Sequence, residues 1–414
     1  MLFHCFAQKQ SDMRNSHFFV FLPILTAVIA AAAVSCEKVD VKGKKPDFPS
    51  PGEVPDTALY VAAVRVPAEY DWRRDTAAGV AGCHLILYRN MEQIADYPTG
   101  SEACISTDPD THHLIGGDIY TEFATQSETI IKKNGETVLR YPGREILAGL
   151  LPSGRSIYTL GRLRNGRGYV FRKNGELLLN LEECSVFGGF NASSYGKTGA
   201  IYMDGGHIYF FYKDAGGNCF KVKDGYPLKI DVKSSYEVYD MKLHDGKDYI
   251  FYRTALGTTH LKTPDKTVGL GSYKWLNAGI AFDQGNIYIV GARVASLFGL
   301  NIEDIDSEAV CQKVNGELVV FESGADFFYC REDESYGLSY SKGCLSVDDG
   351  TGPFLEIPDT FCFSRDCATI TDAGFCVGVT PRRAGGHPYV MIDGEDYPLE
   401  LDGFISAVEF TIKY

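Results

Sequence analysis

Along residues 58–414 the apolar positions fall in short runs of three to eight residues, cut at regular intervals by Asn-Gly, Asp-Gly or related pairs. Such pairs supply the positive φ angles of a two-residue hairpin turn, so each marks two antiparallel strands. One hairpin, Tyr169-Val-Phe-Arg-Lys-Asn174-Gly175-Glu176-Leu-Leu-Leu, recurs as Ile130-Ile-Lys-Lys-Asn134-Gly135-Glu136-Thr-Val-Leu and as Gln312-Lys-Val-Asn315-Gly316-Glu317-Leu-Val-Val. Weaker copies centre on Asn90-Met91, Asp224-Gly225, Asp265-Lys266, Asp349-Gly350 and Asp393-Gly394, which makes eight at a mean spacing of about 43 residues. Upstream of most copies lies a second hairpin, turning at Ser153-Gly154, Asp204-Gly205, Asp245-Gly246 and Gln284-Gly285. Four short strands in so few residues fit a propeller blade and leave no room for a helical repeat. No stretch after Val34 sustains a 3.6-residue period, so helices are expected to be nearly absent.

The expected fold is therefore all-β: a β-propeller of four-stranded antiparallel blades over residues 58–414, with eight blades predicted. Seven is the alternative, because the segment 326–360 is short for a unit. Ala58-Leu-Tyr60-Val aligns with the second strand of other units, whereas Phe404–Tyr414 follows a complete eighth unit. The C-terminal segment should thus pair into the first blade as its innermost strand and close the ring, which also removes an exposed edge.

The N-terminus reads differently. Phe18 to Val34 is an apolar run preceded by Arg14 and His17 and followed by Ser35-Cys36, the layout of a secretory signal. Ala33-Val34-Ser35-Cys36 resembles a bacterial lipobox; the resemblance implies cleavage before Cys36, lipidation of its thiol and a membrane partner through that anchor. The alternative is a plain secretory signal cut nearby. Residues 1–35 would then be a lipoprotein signal peptide and 36–57, with Pro46, Pro49, Pro51 and Pro55, an extended linker. The Lys-Asn-Gly-Glu hairpins resemble the repeat of β-propeller lipoproteins of the Bacteroidetes type, which implies an outer-membrane lipoprotein on the periplasmic or cell-surface side. The aromatic expected three residues before the turn is present as Phe171 but replaced by Ile131 and Gln312.

Charge narrows the partners. With 40 Lys+Arg against 54 Asp+Glu the chain carries −14, and loss of Lys9, Asp12 and Arg14 with the signal makes it −15. That balance argues against a nucleic-acid partner, which needs a basic stripe.

Candidate chemistry is sparse. No G-x-S-x-G, H-E-x-x-H, P-loop or dinucleotide fingerprint occurs, and no cofactor or catalytic residue is assigned. Ser346-Val-Asp348-Asp-Gly350-Thr351 resembles a sialidase Asp box lacking a residue and the closing Trp; an Asp-Gly turn explains it better. His112 and His113 are adjacent, so in extended chain they point to opposite faces and do not share a metal. Glu303, Asp304, Asp306 and Glu308 lack the spacing of a calcium loop. After Cys36 the chain holds ten cysteines, which sit mostly inside apolar strands and are read as buried thiols, with Cys362–Cys367 the one disulfide candidate.

Two features suggest ligand contact. The insertion 67–81 carries Tyr70, Trp72, Arg73 and Arg74, and aromatic faces suit sugars or cations. The alternative is that Trp72 covers the edge of its own blade. Second, the ends of the second strands carry Arg65, Arg162, Lys213, Arg253, Arg293, Lys342 and Arg382, with only the second unit, near Gln126, lacking a base. On an acidic body this suggests a positive rim for an acidic glycan, unless each base pairs with a local carboxylate. The expected function is a membrane-anchored extracytoplasmic binding module for a glycan or an outer-membrane protein partner; the alternative is a propeller lyase or hydrolase on an anionic polysaccharide.

Overall fold

A computed structural model describes residues 56–73, 79–101, 105–106, 111–163, 168–188, 200–283, 285–295, 307–316, 318–321, 324–331, 334–341, 343–361, 365–371, 374–383 and 386–413. Cys36 and the prolines of the linker lie outside them.

Eight four-stranded antiparallel blades make an eight-bladed propeller. Blade I joins Asp56–Arg65, His84–Arg89 and Glu92–Pro98 to the C-terminal Gly403–Lys413. Blades II and III run His112–Ile115 to Glu136–Pro142 and Glu145–Ser153 to Glu176–Glu182. In blade IV the inner strand is split into Cys184–Val186 and Tyr202–Asp204, both pairing His207–Asp214, with Cys219–Lys223 and Tyr226–Lys229 outside. Blades V, VI, VII and VIII follow as Glu237–His244 to Thr267–Gly269, Tyr273–Asp283 to Leu318–Phe321, Phe327–Arg331 to Pro353–Ile357, and Ala368–Thr371 to Glu395–Pro398. The short segment at 326–360 holds a full blade, so the seven-blade alternative falls. No α-helix occurs among the described residues, and the turn Arg365–Cys367 is 3-10.

Closure is as expected. Gly403–Lys413 pairs antiparallel with Asp56–Arg65 from Gly403↔Arg65 to Lys413↔Asp56, with one bulge between Ala62 and Ala63. The first strand begins at Asp56 rather than 58.

Each blade is sandwiched between neighbours, which explains why second strands are apolar at nearly every position. Alternation sends Ala58, Tyr60, Ala62 and Val64 into the seam with blade II and Leu59, Val61 and Ala63 into the seam with blade VIII. Likewise Ile208, Phe210 and Tyr212 face blade III while Tyr209 and Phe211 face blade V. Eight buried clusters occupy the eight seams, so the core is a ring rather than a single centre.

The turns explain the repeat. Asn90, Asn134, Asn174, Asp224 and Asp393 have φ between 48° and 51°, and the next residue is also at positive φ, as a primed turn requires. Gly135 also approaches the neighbouring blade: a Cβ there would lie 2.7 Å from the Pro98 carbonyl oxygen. Asp265-Lys266 departs from the expectation. Neither residue is at positive φ, and Thr263 instead closes the turn through hydrogen bonds to Lys266. The lysine preceding the Asn or Asp lies over the tyrosine of the adjoining second strand: Lys133 over Tyr120, Lys173 over Tyr158 and Lys223 over Tyr209, at 5.7, 5.6 and 5.9 Å from the ring centres. The lysine of the motif is thus accounted for by a contact inside its own blade.

Candidate functional site at the connection-bearing face

Antiparallel alternation puts the ends of second strands, the starts of inner strands and the connections between blades on one face. Several buried polar side chains lie there, among them His112, Glu122, Glu145 and Asp366.

His112 and His113 open the inner strand of blade II and do point opposite ways. His112 is buried edge-on against Phe404, 5.8 Å between ring centres. His113 lies between two carboxylates, Nε2 at 3.7 Å from Glu122 Oε2 and Nδ1 at 3.7 Å from Asp366 Oδ2. Glu122 comes from the second strand of the same blade, Asp118–Ala124, whereas Asp366 comes from the 3-10 turn that leads into blade VIII. The trio therefore ties blade II to blade VIII across the inner strand of blade I. Side-chain exposures of 16%, 10% and 9% keep it largely from solvent. Burial alone would depress the imidazole; hydrogen bonding and charge from Asp366 and Glu122 outweigh it and push the pKa up to about 9. His113 is thus a standing cation at neutral pH, poorly poised as a general base. No group of three His, Cys, Asp or Glu side chains suited to a metal occurs among the described residues.

Beside the trio sits a second buried pair. Arg172 grips Glu145 Oε1 through Nη2 at 2.8 Å and Nε at 3.1 Å, and its guanidinium lies 4.8 Å over the Tyr141 ring. Burial raises the Glu145 carboxyl, against the pull of Arg172.

The insertion of blade I corrects one expectation. Trp72 is 2% exposed, with its ring edge-on to Phe361 at 4.9 Å and tilted against Phe404 at 5.6 Å. No open face is left for a sugar. The reason is the closure: Phe404 begins the C-terminal strand, and the insertion folds back to cover it. Arg73 lies 4.1 Å over the indole, donates from Nη2 to the Gly386 carbonyl at 3.2 Å and approaches Asp402 at 3.7 Å, locking the loops of blades I and VIII together. Tyr70 is half-buried against the same cluster, and Arg74 lies outside the described residues.

The basic rim divides into two groups. Arg65 pairs with Asp96 at 2.8 Å, Arg253 with Glu237 at 3.6 Å and Arg293 with Glu308 at 2.9 Å, so local carboxylates neutralise these three. Arg162 stands beside Tyr169. Lys213 and Arg382 form no ion pair among the described residues, and Arg382 is exposed. Lys342 lies outside the described residues. Lys213 borders a depression of about 350 Å³ lined by Glu183, Cys184, Ser185, Asp214 and Ala215. Burial pushes the Cys184 thiol up to about 11, which leaves it unreactive at neutral pH.

Other candidates resolve locally. Asp348 accepts the Gly350 amide at 2.7 Å and Asp349 the Thr351 amide and hydroxyl at 2.9 and 2.7 Å, the contacts of an Asp-Gly turn. Glu308, from the acidic insertion, is the partner of Arg293, while 303, 304 and 306 lie outside the described residues. Cys362 also lies outside them; Cys367 is a buried thiol directed at the Ser406 and Ile405 carbonyls, 3.6 and 3.7 Å away.

Sequence reasoning missed the His113–Glu122–Asp366 trio and the Glu145–Arg172 pair. The one available signal was a charged residue inside an otherwise apolar strand, as at Glu122 and Glu145.

No family model matches this chain, and no curated protein matches it. Among solved structures it is similar to the dihydro-heme d1 dehydrogenase NirN in complex with DHE, at 12% identity and a TM-score of 0.48, over 89% of this chain and 77% of that one. It is also similar to BamB from Moraxella catarrhalis, at 11% identity and 0.39, over 73% and 88%. A third similarity is to the polysaccharide lyase Uly1, at 11% identity and 0.37, over 77% and 93%.

Proposed function

We propose that the protein is a membrane-anchored extracytoplasmic propeller, tethered through Cys36, that captures an acidic glycan or an acidic protein segment at its connection-bearing face. The observation that carries this reading is the contrast on that face between buried groups that hold the closing blades together and rim cations without an ion pair among the described residues. His113, Trp72 and Arg73 are spent on closing the ring, whereas Lys213 and Arg382 form no ion pair among the described residues. These two belong to blades IV and VIII, which stand opposite each other in a ring of eight. An extended polyanion crossing the face would meet one base at each side, and its charge would be drawn in by both. A buried histidine held protonated at neutral pH suits capture better than acid–base turnover.

The test is incubation of the detergent-solubilised chain with polygalacturonate, chondroitin sulfate and neutral dextran, following both binding and chain length. Retention of an acidic polymer at unchanged length supports capture. Depolymerisation would instead establish the enzyme reading. For the anchor, Cys36→Ala should move the protein from the membrane to the soluble fraction.

A further inference from the structure

Cys311, in the third strand of blade VI, and Cys330, in the inner strand of blade VII, place their Sγ atoms 3.1 Å apart across the seam between the blades. Both are buried, 1% and 7% exposed, among Tyr288, Val290, Phe321 and Phe328. The Ser335 hydroxyl reaches both sulfurs, at 3.4 and 3.5 Å. None of the eight described cysteines is in a disulfide here, and among them this is the pair whose sulfurs touch.

We propose that Cys311 and Cys330 form a disulfide that cross-links blades VI and VII when the chain folds in an oxidising compartment. The pairing rests on the geometry; the oxidant rests on the extracytoplasmic reading above. A covalent S–S bond needs the sulfurs to close by about 1 Å, a displacement that side-chain rotation can supply. Other partners are unfavourable, because none of the other described cysteines has a sulfur in contact with either. Contact with Cys330, and then burial, hold the Cys311 thiol well above its ordinary pKa once the seam is packed. The exchange therefore belongs to folding, before the seam is dry. One cysteine thiolate attacks a sulfur of an external disulfide oxidant, forming a mixed disulfide and releasing one thiol. The second cysteine thiolate then attacks the protein sulfur of that mixed disulfide and releases the second thiol. The two cysteines lose two protons and two electrons, and the oxidant is reduced to two thiols.

The test uses the full chain in two arms: material from membranes of cells that export it, and the same chain unfolded, reduced and refolded in a glutathione redox buffer. Each is unfolded under alkylation without reductant and mapped by peptide mass. The expected result in both arms is one linked peptide containing Cys311 and Cys330, lighter by two hydrogens than its parts and separated by reductant. The wild type should also lose thermal stability on adding reductant, and Cys311→Ser should show no such loss. Linkage after refolding with free thiols in membrane material would uphold the pairing and contradict the extracytoplasmic reading. Two singly alkylated peptides in both arms, or linkage to other cysteines, would overturn the proposal.

Discussion

The side-chain oxygen of Asn134 accepts a hydrogen bond from the Ile119 amide at 2.9 Å, while the Asn134 amide donates back to the Ile119 carbonyl at 2.8 Å. A turn between the third and fourth strands is thereby stitched to the second strand. The same exchange joins Asn90 to Leu59, Asn174 to Ile157 and Asp224 to Ile208. One side chain fills two needs, a tolerated positive φ and an acceptor of the right length, which is why Asn or Asp recurs there.

Asn134→Ala should accordingly destabilise by about 1–3 kcal/mol, combining left-handed backbone strain with a lost hydrogen bond. Asn134→Gly keeps the backbone conformation and should cost less. Urea denaturation with an unchanged slope checks both, and equal costs would show that the side-chain contact alone matters.

Trp72→Ala should act on stability. The indole fills space between Phe361 and Phe404, so truncation should cost about 3–5 kcal/mol. Calorimetry is the measurement, and a small change in melting temperature would contradict the burial argument.

Deleting 404–414 should lower the stability of the whole ring rather than fray one end. Its strand fills the seams on both sides of blade I, with Phe404 and Ala407 on one side and Ile405 and Val408 on the other. Hydrogen exchange should show loss of protection beyond blade I; protection lost from blade I alone would show that the blades are independent.

His113 gives a pH signature. Its pKa rises from 6.5 to about 9 on folding, so the stabilisation is fully present below about 6.5 and is lost as pH climbs through about 9. The stability gap between wild type and His113→Gln should therefore shrink across that window. A gap independent of pH between 6 and 10 would mean that folding leaves the pKa of the imidazole unshifted.

How much of this was legible in the chain depends on the range of the forces involved. Asn134-Gly135 and Asn174-Gly175 announce their hairpins because turn geometry is local, and from their spacing came the blades and the closing strand. Asp265-Lys266 does lie in a hairpin, but one of a different turn type, because Thr263 closes it. His113 meets Asp366 only after the ring has closed, and Cys311 meets Cys330 only where two blades pack. Neither contact leaves a spacing to read. Trp72 looked like a ligand platform since nothing local says that Phe404 will arrive beneath it. The basic rim was visible as a pattern, but its neutralisation at Arg65 depends on Asp96, two strands away.

The most direct test of ligand capture is the equilibrium binding of chondroitin sulfate to the detergent-solubilised chain, compared with the double reversal Lys213→Glu, Arg382→Glu at two salt concentrations. Neither residue is buried in a seam, so the double variant should melt as the wild type does. Capture at the connection-bearing face predicts that the wild type binds, more weakly at high salt, and that the folded double variant loses binding at least tenfold. Equal binding by both proteins, or binding of dextran in preference to the acidic polymer, would contradict it.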